Sequence, residues 1–146
     1  MSVNLQKGQK VNLKKSDGQA LSRIRVGLGW DPVEQKSSGF FGSIFGGGGT
    51  PDIDCDASVI VCQGGRLAGK GDVVYFGNLK HSSGAIVHTG DNLTGDGEGD
   101  DEQILVDLTA VPAVYDKLVF VVNIYDCKSR KQDFGMIANA FIRICD

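Results

Sequence analysis

The sequence predicts an all-β protein: a β-sandwich of antiparallel strands with acidic loops and little helix. Three observations carry this prediction. The apolar segments are short, rich in β-branched residues and bounded by Gly or polar turns. No window keeps an i, i+3, i+4, i+7 apolar pattern beyond about ten residues. Gly is abundant, 21 of 146 residues, about twice its usual share.

Taken in order, Lys10–Leu13 and Ile24–Trp30 (IRVGLGW) read as early strands. Ala57–Cys62 (ASVIVC), Val73–Phe76 (VVYF) and Ile86–His88 follow. Ile104–Leu108 is a strand with one apolar face, because Ile104, Val106 and Leu108 alternate with Leu105 and Asp107. Leu118–Tyr125 (LVFVVNIY) is apolar on both faces over Val119–Val122, the pattern of a central strand. Ile137–Ile144 completes the set, with Phe141 alternating with Arg143. Thr109–Asp116 is the one stretch expected to form a helical turn or two, with Pro112 near its start. Such a set packs as two sheets around one core.

Composition narrows the class. The length is that of one domain. The net charge of −3 argues against a basic nucleic-acid binder. No apolar run reaches the length of a membrane helix, and the N-terminus lacks the shape of a signal peptide, so the expected location is cytoplasmic. Cys55, Cys62, Cys127 and Cys145 contain no CxxC pair, which argues against a zinc or redox motif. Cys62, Cys127 and Cys145 lie in or beside apolar runs and read as small buried hydrophobes. Cys55 stands apart, between two aspartates. Residues 39–49 (GFFGSIFGGGG) read as a loop insert; they lack the Lys of a phosphate-binding loop.

The charge is unevenly placed. Residues 91–102 (DNLTGDGEGDDE) hold six acids and no base, and the remainder carries fifteen Lys and Arg against twelve Asp and Glu. Six carboxylates so close repel one another unless a cation or water screens them. The interleaved Gly90, Gly95, Gly97 and Gly99 let the backbone turn its carbonyls inward. Carboxylates with inward carbonyls make the oxygen cage that Ca²⁺ prefers. The stretch is not an EF-hand: Asp91 and Glu102 have the right separation, but Leu93, Gly95 and Asp96 break the interior pattern. A second cluster, DIDCD, places Asp52, Asp54 and Asp56 on one face of an extended segment. Asp31 follows the IRVGLGW strand and is expected at the same rim. His88, one of two histidines, reads as a surface side chain; zinc is unsupported.

These segments together resemble the TerD family of bacterial tellurite-resistance and stress-response proteins. IRVGLGWDP, DIDCDASVIV, the run from VVYFGNLK through HTGDNLTGDGEGDDEQILVDL, KLVFVVNIYD and FGMIANAFIRI carry the likeness, from about Val3 to Ile144. The resemblance implies one TerD-like domain over 1–146 and a calcium-binding β-sandwich with two Ca²⁺ ions. It implies Asp31, Asp54, Asp56, Asp91, Asp100, Asp101 and Glu102 as side-chain ligands, with Asn92 and the carbonyls of Gly95 and Gly97 completing the shell. Family domains commonly continue past the FIRI strand. An edge left open there favours self-association.

The function expected is that of a non-catalytic calcium sensor, scaffold or buffer in the stress response. Its partners would be calcium, other stress proteins and a membrane-associated complex reached through Phe40, Phe41 and Phe45. The alternative is a metal-dependent hydrolase using the clustered carboxylates with His88. Against it, the sequence offers no convincing nucleophile. Chemistry on tellurite by the cysteines is unsupported, since Cys55 among carboxylates disfavours a thiolate.

Overall fold

A computed structural model describes residues 6–12, 14–15, 17–32, 52–90 and 99–146. Eight strands form two antiparallel sheets. They are β1 (Arg23–Pro32), β2 (Cys55–Gln63), β3 (Arg66–Leu67), β4 (Val73–Val74), β5 (Ile86–His88), β6 (Glu102–Asp107), β7 (Lys117–Ile124) and β8 (Ile137–Cys145). The first sheet runs β5-β6-β1-β8. In the second, β7 lines one edge of β2 along Cys55–Cys62, and the short β3 and β4 share the other edge.

Alternation builds the core. Ile24, Val26 and Leu28 of β1 pair in register with Val106, Ile104 and Glu102 of β6, and Trp30 continues the same buried face. Opposite them, Ala57, Val59 and Val61 of β2 supply the facing layer. Leu118, Phe120 and Val122 of β7 pack against that core. Burying such side chains contributes about 1.5–3 kcal/mol each before entropy is counted.

Several sequence expectations change here. Residues 10–12 are irregular rather than strand. The Val73–Phe76 strand stops at Val74, because Tyr75 and Asn78 bridge across a tight turn. Thr109–Asp116 is not helical. The carboxylate of Asp107 accepts from the Thr109 and Ala110 amides and the Thr109 hydroxyl, and a second turn closes from Tyr115 N–H to Pro112 O. Side-chain competition of this kind ends a helix before it starts. The only α-helix among the described residues is one turn, Cys127–Arg130.

Two strands also differ in placement. β7 was expected in the middle of a sheet, yet it pairs only with β2 among the described residues, and Val119 and Val121 are exposed. Among the described residues β8 pairs only with β1. Among the cysteines Cys55 is the deepest and Cys62 is buried, but Cys127 and Cys145 are only half-buried; all four are free thiols.

Candidate metal centre

The strand directions gather the acidic residues at one end of the sandwich. β1 ends there with Asp31, β6 begins there with Glu102, β5 ends there with His88, and β2 begins there just after Asp54. The segments far apart in sequence meet because antiparallel neighbours start and stop at the same edge.

Glu102 is the pivot. It lies opposite Leu28 in the β1–β6 register and therefore points between the sheets, where it is 1% exposed. Its Oε2 accepts from the Ala57 amide of the other sheet at 2.6 Å. His88, 2% exposed, aims the same way, with Nε2 3.1 Å from the Ala57 carbonyl and 3.5 Å from Glu102 Oε2. The Gly90 amide donates to His88 Nδ1, so the ring proton belongs on Nε2, which donates to Ala57 O. Glu102 and His88 thus fasten β5 and β6 to the β2 backbone. His88 is not the surface histidine that the sequence suggested. It shares the inward face of β5 with Ile86, a period-two signal present in the sequence.

Asp56 accepts from Asn123 Nδ2 at 2.9 Å on the neighbouring strand. Asp54 is buried, and its Oδ1 has no hydrogen-bond partner; Oδ2 stands 3.8 Å from the half-exposed Arg130 guanidinium. Burial raises the Asp54 carboxyl above its ordinary value, Arg130 opposes this, and the charge of Glu102 adds to it. Asp101 is raised as well, first by burial, while the Trp30 amide that it accepts at 2.9 Å pulls the other way. Asp31, Asp100 and Glu102 push Asp101 further up by repulsion. Burial lifts the Cys55 thiol to about 12, and the negative charges of Asp54, Asp56, Glu102 and Asp101 reinforce it. The charges of four carboxylates therefore act on one buried thiol, although alternation along this segment turns Asp54 and Asp56 to the face opposite Cys55.

The remaining predicted residues fall out as follows. Asp31 is exposed at the rim, where Asn139 Nδ2 donates to it at 2.9 Å. Asp100 lies over the outer face of the first sheet, held by Arg143 Nε at 2.7 Å and Gln103 Nε2 at 3.2 Å. A Cβ on Gly27 would stand 2.3 Å from the Asp100 carboxylate, and one on Gly29 would stand 2.3 Å from the Phe141 ring. The glycines of IRVGLGW are thus required for space, a role the sequence alone did not disclose. Asp91, Asn92, Gly95 and Gly97, like the 39–49 insert, lie outside the described residues. Among the described residues no three His, Cys, Asp or Glu side chains converge tightly enough to hold an ion.

The donor set suits a hard cation: it is oxygen-only, over-charged, and includes a buried carboxylate oxygen without a partner. Asp31, Asp54, Asp56, Asp101 and Glu102 are expected ligands among the described residues; they stand at one end of the sandwich without converging on one point. His88, which the hydrolase alternative would use as its base, is buried and donates to the Ala57 carbonyl.

Comparison with known proteins gives a consistent relationship. The model of the TerD domain matches residues 1–146. Stress response protein SCP2 of Bacillus subtilis (strain 168) is 60% identical over 146 residues, covering all of this chain and 72% of that protein. Tellurium resistance protein TerD of Serratia marcescens is 41% identical over 145 residues, covering 99% of this chain and 68% of the relative. The crystal structure of a homologue of telluride resistance protein (TerD) from Streptomyces coelicolor A3(2) superposes with a TM-score of 0.64 at 20% identity. That match covers 86% of this chain and 66% of the solved chain, and it supports the fold. The chain belongs to the TerD family.

Proposed function

We propose that this chain is a non-catalytic calcium-binding protein of the stress and tellurium-resistance response. Its relatives carry names from that response, stress response protein SCP2 and the tellurium resistance proteins. The observation that carries the calcium reading is the buried Asp54 carboxylate, whose Oδ1 has no hydrogen-bond partner and whose burial and Glu102 neighbour penalise its charge. A cation bound there would compensate the charge that burial penalises. Calcium accepts six to eight oxygens in irregular geometry, which suits ligands drawn from three separate segments. The Asp91–Glu102 loop would supply further oxygens from Asp91, Asn92, Gly95 and Gly97. In this reading the protein works as a sensor, scaffold or buffer: binding neutralises one end of the sandwich and changes the surface offered to a partner.

Elemental analysis and calcium titration test this directly. The expected result is saturable binding, two ions per chain, and weaker binding in Asp56→Asn and Asp101→Asn. Trp30, the single tryptophan, is a built-in reporter. Its amide contacts Asp101 and its indole Nε1 donates to Ile53 O at 2.7 Å. Absence of binding at millimolar calcium would overturn the proposal, since even weak calcium modules bind there.

A further inference from the structure

Three contacts bracket the segment that carries Asp54. The Tyr125 amide donates to the Asp54 carbonyl at 2.8 Å, Gln132 Nε2 donates to the Asp52 carbonyl at 2.9 Å, and the Arg130 guanidinium stands 3.8 Å from Asp54 Oδ2. All three come from the single helical turn after β7, Cys127–Arg130, and its flanks. That turn is entered and left through Asp126 and Lys131, both in the left-handed region that disfavours residues with a Cβ. The first two contacts are hydrogen bonds to main-chain carbonyls, and they fix where the segment runs. The third is of another kind. At 3.8 Å it is longer than a hydrogen bond, so the guanidinium offers charge without a donated proton. Asp54 Oδ1 and the buried Gln132 Oε1 are left without a partner.

Arg130 also has a second resting place. Its Cζ lies 5.3 Å from the centre of the Tyr125 ring, a cation–π distance, and that ring is propped edge-to-face by Phe76 at 5.9 Å. The Arg130 side chain is 39% exposed. Withdrawal from Asp54 therefore gives up only a water-screened ion pair and can keep the stacking on Tyr125. For the carboxylate, exchanging the guanidinium for a dication is favourable, because the dication brings twice the charge and binds oxygen directly. For the dication, the same guanidinium is a like charge at the edge of its site and repels it. The bracket thus holds the Asp54 backbone firmly and its carboxylate loosely, under a positive charge that can leave.

We infer that Arg130 is a tethered competitor for the Asp54 carboxylate: it compensates Asp54 in the metal-free chain, opposes cation binding, and so raises the concentration at which calcium takes the site. The inference rests on the calcium reading above and names the residue that sets its threshold. The test is titration calorimetry of the full 146-residue chain with calcium, in about 0.15 M salt, where charges more than about 8 Å apart are largely screened. The expected result is that Arg130→Gln tightens calcium binding about two- to fivefold, the scale of an exposed ion pair. Lys128→Gln removes the same charge from an exposed position on the same turn and should leave the affinity unaltered. Arginine Nε–H signals in nitrogen-15 spectra supply a readout independent of any variant. That of Arg130 should move as calcium saturates the chain, while that of Arg23, paired with Asp107 at the opposite end of the sandwich, should not. A parent chain that binds no calcium overturns the calcium reading and this inference together. Calcium binding that Arg130→Gln leaves unchanged or weakens overturns this inference alone, as does a Lys128→Gln effect equal to that of Arg130→Gln, or a stationary Arg130 signal.

Discussion

Asp54→Asn separates what this carboxylate costs the fold from what it gives to a cation. The substitution keeps the shape and removes the charge. In the metal-free protein it relieves the repulsion from Glu102 and lowers the penalty on a buried oxygen without a partner, which is about 1–3 kcal/mol for such groups. It also loses the 3.8 Å approach of Arg130, whose side chain is 39% exposed. An ion pair that open to water contributes about 0–1 kcal/mol. The two effects leave the metal-free variant at least as stable as the parent, to within about 1 kcal/mol. Calcium should divide them. At a hundredfold excess over its dissociation constant a ligand stabilises by about 2.7 kcal/mol. For a domain of this size that is a rise in Tm of about 10 °C. The parent should show that rise in calorimetry with and without calcium, and Asp54→Asn should lose most of it. A variant with the full calcium-induced rise would show that Asp54 is not a ligand. A metal-free variant destabilised by several kcal/mol would show that the carboxylate is structural.

Other outcomes follow from named contacts. Gly27→Ala forces a methyl into the Asp100 carboxylate and should cost about 1–3 kcal/mol in denaturant unfolding, while moving Asp100 off Arg143. Ile104→Ala empties a fully buried site and should cost about 2–5 kcal/mol, measured the same way. Cys55, held up to about 12 and fully buried, should resist alkylation at pH 8 in the native protein, whereas the half-buried Cys127 and Cys145 react; peptide mass mapping reads this out. Asp72 is held below its ordinary value first by the His81 hydrogen bond and then by the Tyr115 hydroxyl. Its folded pKa lies below the unfolded one, so its contribution is present above the unfolded value and is lost as pH falls through the folded one. Asp72→Asn should therefore flatten the loss of stability below about pH 4, seen in urea midpoints measured from pH 7 to pH 3.

Most of the strand order was legible because period two is a local property. β5, Ile86–His88, falls where the pattern put it, and β1, β2, β6 and β8 lie within a residue or two of their expected bounds. The misses came from contacts that periodicity does not encode. Val119–Val122 is apolar on both faces, which reads as an interior strand, but Val119 and Val121 lie on the face of β7 turned away from the core, which no described layer covers. Thr109–Asp116 has helix-compatible residues, but the Asp107 carboxylate takes their amides first. His88 was read from its polarity rather than its phase with Ile86.

The sequence by itself determined the all-β class, the family and the inventory of acidic residues, since alternation, turn chemistry and charge are written residue by residue. Only the tertiary structure decided which acids come to the same end of the sandwich. It brought Asp54, Asp56, Asp101 and Glu102 near enough for their charges to act on one buried thiol, set Asp56 against Asn123, sent Asp100 to the outer face under Arg143, and made Glu102 and His88 a clamp on Ala57. The physical reason is that these groups are thirty to fifty residues apart along the chain, about 31 from Ala57 to His88 and 45 from Ala57 to Glu102. Their proximity depends on the order in which strands pair and sheets stack, a property of the whole chain that no single segment carries.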